Sequence, residues 1–118
     1  MKNILRGFIF GFLFLFVNGV FAHAQVKADH FAPGQLEAHY LKHGDQFGQI
    51  TQDQYLQGAQ ALLDAVPDKD VLERIRPNGD IEHFRVSTGE FAVMTKRGRI
   101  RTYFKTDYGY WMREDNGR

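Results

Sequence analysis

The sequence predicts an α+β domain: two N-terminal helices packed on an antiparallel meander sheet of four to five strands. Three observations carry this. Between residues 33 and 67 apolar side chains recur at helical spacing. After residue 70 the period drops to two. The two-period segments are separated by short turns rich in Gly, Asn and Ser, too short for crossovers, so neighbouring strands run antiparallel.

In the first helix Pro33 suits the first turn, Leu36, Tyr40 and His43 share a face, and Gly44 suits a left-handed close. Thr51 with Gln54 is a capping box. It opens a second helix with an apolar stripe of Tyr55, Leu56, Ala59, Leu62, Leu63 and Val66, ended by Pro67. Strands follow over Val71–Arg76, Ile81–Val86, Phe91–Thr95 and Arg99–Lys105, with Tyr108–Met112 as a fifth. The turn Pro77-Asn78-Gly79-Asp80 has Asn-Gly at its centre, the strongest hairpin signal in the chain. Residues 25–32 read as a loose leader.

The first 24 residues are set apart. Lys2 and Arg6 precede an apolar run, Gly7 to Val17, and six of the 11 Phe lie within the first 21 residues. Ala22-His23-Ala24 gives the small-x-small pattern of a signal-peptidase site. Residues 1–24 are therefore expected to be a secretory signal peptide, cleaved before Gln25, with a single domain over 25–118 in a secreted or periplasmic protein.

Composition excludes whole classes of chemistry. With no cysteine among 118 residues there is no disulfide scaffold, thiol nucleophile or cysteine-ligated metal. No phosphate-cradling glycine loop, nucleophile elbow or HExxH motif occurs. The formal net charge is only +1, but it is unevenly spread. Residues 25–70 carry three bases against seven acids, and residues 71–118 carry ten bases against seven. Lys96, Arg97, Arg99, Arg101 and Lys105 run without an intervening acid. Such a stripe suits an anionic ligand, or equally a solvated strand edge that resists aggregation.

Two groups of residues can do chemistry. His39 and His43 lie one turn apart, with Lys42 between them. That spacing suits a metal pair, but His30 and His83 fall on other elements, so no metal or cofactor is expected. The choice is between packing and acid–base work, since a histidine titrates near neutrality and a neighbouring lysine supplies positive charge for phosphate oxygens. The second group is the last long strand. Strict alternation puts Arg99, Arg101, Tyr103 and Lys105 on one face, a basic side with an aromatic ring that suits RNA. Ile100, Thr102 and Phe104 fall on the other face; on spacing alone, core packing is the better reading of Ile100 and Phe104 and ordinary strand propensity that of Thr102.

Taken together, these segments resemble a known family. Leu41-Lys42-His43-Gly44-Asp45-Gln46-Phe47-Gly48 is similar to the Lys-His-x-x-Asp/Glu-Phe-Gly segment of the catalytic domain of colicin D and of related contact-dependent inhibition toxins. Phe84–Val93 resembles that family's strand–turn–strand, and Ile100-Arg101-Thr102-Tyr103-Phe104-Lys105 its closing strand, where a hydroxyl residue precedes an aromatic by two positions. The resemblance spans roughly residues 36–107. It implies the small nuclease fold shared with barnase and the RelE toxins, and metal-independent cleavage of RNA, transfer RNA included, by 2′-OH transesterification. His43 would be the catalytic histidine and Lys42 its basic neighbour. Thr102 would be the hydroxyl residue and Phe104 the aromatic, a tryptophan in colicin D. His39 would be a further candidate with no firm family match. The resemblance further implies a monomeric toxin acting on RNA, with room for a cognate immunity protein as partner. The alternative is a non-catalytic periplasmic binding or inhibitor protein, in which these residues need not converge.

Overall fold

The computed structural model describes residues 26–116. The export signal expected over residues 1–24 lies outside the described residues. Among those described, no helix is long and apolar enough to cross a membrane. Helix α1 (Gln35–His43) runs into a single 3₁₀ turn (Gly44–Phe47) and is followed by α2 (Gln52–Asp64). Four strands come next: β1 (Val71–Ile75), β2 (Ile81–Arg85), β3 (Glu90–Met94) and β4 (Ile100–Lys105). Helix α3 (Tyr108–Asn116) closes the described chain. The sheet is an antiparallel meander in the order β1-β2-β3-β4. The class is α+β, as the change of period implies.

Helix α2 starts as expected. Thr51 Oγ1 accepts from the Gln54 N–H at 3.1 Å, and Gln54 Oε1 accepts from the Thr51 N–H at 2.8 Å. This reciprocal cap contributes about 0.5–2 kcal/mol. Tyr55, Ala59, Leu62 and Leu63 are buried against the sheet. Val66, expected in the same stripe, lies past the helix end and is 73% exposed.

The expected fifth strand is a helix. Asp107 Oδ1 accepts from the Tyr110 N–H at 2.8 Å, and the Asp107 carbonyl accepts from the N–H of Tyr110 and Trp111. This is N-capping by an aspartate, and it turns an aromatic run that reads as a strand into a helical one. Nor do all helices share one face. Helices α1 and α2 cover a core of Tyr55, Leu62, Leu63, Ala92, Met94, Ile100 and Tyr103. Helix α3 covers the other face, where Trp111 packs with Phe84, Phe91 and Val93.

Three local expectations change for related reasons. The leader is not loose. Phe31 is buried and bridges Ile100 in parallel, and the His30 carbonyl accepts from the Ile100 N–H at 3.0 Å. Helix α1 begins two residues after Pro33, because Gly34 takes a left-handed turn (φ 81°) in front of it. Gly44 is not a left-handed cap. Its φ is −55°, and it leads on into the 3₁₀ turn. A Cβ there would sit 2.9 Å from the Tyr40 ring, so glycine is required for space rather than for backbone freedom.

Trp111 ties α3 to the sheet: its ring lies 5.8 Å from that of Phe84 and 3.7 Å beneath the Arg74 guanidinium. Trp111→Ala should cost about 3–5 kcal/mol. Urea unfolding is expected to show a lower midpoint with the slope unchanged.

Candidate active site

Strand β4 is the last strand of the sheet, and the leader and α1 lie along its outer side. This brings the two histidines of α1 to the strand. His39 Nδ1 is 3.5 Å from Thr102 Oγ1. The His43 ring is 5.1 Å from the Phe104 ring, and the two imidazoles are 6.0 Å apart. Phe31 closes the other side of His39 at 5.3 Å. Phe104 in turn packs on Phe91 and Tyr110 at 5.2 and 5.6 Å, so the second core props up this wall of the site. Four of the five residues singled out for chemistry, His39, His43, Thr102 and Phe104, are thus brought together. The fifth, Lys42, is exposed on α1 beside both imidazoles.

The electrostatics favour neutral imidazoles. Partial burial lowers the His39 pKa, and the Lys42 charge lowers it further. His43 is lowered by the same burial, then by Lys42 and by His39. A position at the end of α1 would on its own favour the cation; burial and the Lys42 charge act against it.

The basic face is only partly as expected. Arg99 and Arg101 are exposed, and Lys105 sits at the far end of β4 with its Nζ 5.4 Å from the Phe47 ring centre. Tyr103 is not with them. It is 2% exposed in the helix-side core, stacked on Phe47 at 4.6 Å, and its hydroxyl donates to Glu90. It offers no ring to a base. The cause is a register shift opposite Val93 and Met94. Thr102 pairs with Val93 and Ile100 with Met94, leaving Arg101 as an extra residue. Alternation is interrupted there, so Ile100 and Tyr103 both face the helices.

The bulged residue has a partner that sequence reasoning missed. Arg101 Nε donates to Asp80 at 2.7 Å, and Arg76 reaches the same carboxylate at 3.8 Å. Asp80 is buried, as is Glu82, which accepts from Arg74 at 2.8 Å and also from Arg76. The signal was the turn residue Asp80, read only as turn chemistry. His83 is a core histidine: it bonds the Leu62 carbonyl and Glu73, both at 2.8 Å, and joins α2 to the sheet. Among the described residues no group of three or more His, Asp or Glu could hold a metal ion.

No protein-family model matches the chain, and no curated protein matches it.

The lowered histidines set a pH dependence. Below the ordinary value of 6.5 the unfolded chain takes up these two protons before the folded one does. Stability should therefore be unaffected by them above pH 6.5 and fall as pH drops from there to the folded pKa values. NMR titration of the imidazole protons should place both midpoints below 6.5. The His39→Gln/His43→Gln variant should lose that part of the decline in a pH series of melting temperatures.

Proposed function

We propose that this domain is a secreted ribonuclease of the colicin D type, a toxin cleaving structured RNA such as transfer RNA through its 2′-OH. The observation that carries this reading is the contact of two α1 histidines with the hydroxyl–x–aromatic pair of β4. His43, Thr102 and Phe104 are positions at which the sequence resembles that family; His39, the ring nearest Thr102, has no firm match in it. A binding or inhibitor protein has no need for an imidazole held against a hydroxyl with a second imidazole and a lysine beside it.

In the proposed reaction, neutral His43 removes the 2′-OH proton. The 2′-oxygen attacks the adjacent phosphorus, and the bond to the 5′-oxygen breaks. The products are a 2′,3′-cyclic phosphate and a 5′-OH, with the proton ending on the leaving oxygen. His39, with its proton on Nδ1, donates to Thr102 Oγ1 and leaves the threonine proton for a phosphate oxygen. His39 is then a positioning residue. Lys42 supplies fixed charge where the pentacoordinate phosphorus gains negative charge. Phe104 gives the His43 ring a flat apolar wall. DNA has no nucleophile for this chemistry and serves as a control.

The test is incubation of the folded domain with total RNA, with and without EDTA, followed by end-group analysis. Cyclic phosphate ends are expected, and EDTA should not prevent them. His43→Ala should lower cleavage 10²–10⁴-fold at an unchanged melting temperature. Thr102→Val should lower it about 10²-fold, and His39→Ala less than His43→Ala. Intact RNA, cleavage abolished by EDTA, or a folded His43→Ala variant cleaving at the normal rate would each defeat the reading.

A further inference from the structure

A second surface lies at the other end of β4. A cavity of about 570 Å³ opens between the turn after β1, the turn after β3 and the leader, lined by Asn78, Asp80, Lys96, Arg97, Arg99 and Arg101, with Asp29 at its rim. Four cations face two carboxylates, and both carboxylates are already engaged. Asp29 binds His30 at 2.8 Å, and Asp80 is held by Arg101 and Arg76. Lys96, Arg97 and Arg99 form no ion pair among the described residues. Their backbone is nevertheless fixed. Thr95 Oγ1 accepts from the N–H groups of Arg97 and Arg99 at 3.2 and 3.0 Å. Gly98 (φ 96°) lies so close to the Lys27 carbonyl that any Cβ would clash.

We propose that this groove is an anion site that holds backbone phosphates of an RNA strand beyond the phosphate being cleaved. The inference rests on the ribonuclease reading for the identity of the strand. Arg99 precedes β4 by one residue and lies three residues before Thr102, a span of up to about 10 Å at roughly 3.3 Å per residue, so the groove offers a place for a phosphate other than the one at Thr102. The leader links the two places, since Phe31 packs on His39 while Asp29 and Ala32 line the groove. A strand whose scissile phosphate sits at His43 and Thr102 therefore continues past Arg101 to Arg97 and Arg99. The groove reads charge rather than base identity.

The probe is fluorescence anisotropy with 2′-O-methyl oligonucleotides, which present the same phosphates but cannot be cleaved. The wild-type protein should bind a hexanucleotide more tightly than a dinucleotide. Arg97→Ala/Arg99→Ala should weaken the hexanucleotide roughly tenfold and leave the dinucleotide unchanged. Its slope of log affinity against log salt should fall by about 0.7 for each lost contact. Arg113→Ala, away from the groove, is the control and should change neither. Equal affinity of wild type and double variant for the hexanucleotide would overturn the proposal. So would an equal loss for the dinucleotide, or for a hexaglutamate peptide, which would mark the groove as a site for acidic protein. Hexanucleotide binding that depends on Arg97 and Arg99, with no cleavage of natural RNA, would sustain the groove and defeat the ribonuclease reading alone.

Discussion

Strand β4 must satisfy two cores and a site at once, and the extra residue Arg101 is what allows it. Without the shift opposite Val93 and Met94, Ile100, Thr102 and Phe104 would share one face and Tyr103 would point away from the helices. With it, Ile100 and Tyr103 enter the helix-side core. Phe104 enters the core under α3. Tyr103 then closes a chain of contacts: its carbonyl accepts from the Tyr55 hydroxyl, its own hydroxyl donates to Glu90, and Gly58 leaves room for it on α2. Moving the bulge by one residue would undo these contacts together and would also take Thr102 away from His39.

A bulge exposes backbone and a side chain with no cross-strand partner, and here that side chain is charged. Asp80 anchors it. Asp80 is itself set by the Asn78 side chain, which accepts from the Asp80 N–H at 2.9 Å, and by Arg76, which continues to buried Glu82. A buried carboxylate is costly unless paired and hydrogen-bonded. Glu82 meets that demand with two guanidiniums, one of which also covers Trp111. The charged network therefore runs from beneath α3 to the rim of the basic groove. Removing one partner would leave an uncompensated charge at a distance from the groove and still alter its shape.

Much of this was legible in the sequence, and what was not has identifiable causes. The capping box of Thr51 and Gln54 and the Asn-Gly turn are local chemistry, so they read correctly from a few residues. Tyr103 was misplaced because alternation is a rule for unbroken ladders, and nothing in Arg99–Lys105 announces a bulge. Tyr108–Met112 was misread because aromatic residues favour strands in general, while the decisive residue, Asp107, lies just outside the run. Phe31 was assigned to a leader because a single buried aromatic has no period. The histidine–Thr102 contact joins residues 63 apart in the chain. Spacing could nominate each residue but could not bring them together; the resemblance pointed to His43 beside Thr102, whereas the imidazole within reach of that hydroxyl is His39.

The placement of Lys42 unites the electrostatics of the site. It lies between two imidazoles at the end of a helix whose C-terminal dipole favours protonated histidine. Its charge opposes that bias and, after burial, is the next largest cause of the lowered pKa of both rings. The same cation would attract a phosphate. For the proposed reaction these two effects act in one direction: the charge that adds to burial in disfavouring protonation of the base is also available to the oxygens that become more negative. Replacing Lys42 by a neutral residue would raise both imidazole pKa values and weaken anion binding together. A carboxylate at that position would attract protons to the base and repel the substrate. A lysine beside these histidines is thus tied to their protonation state as much as to any ligand it contacts.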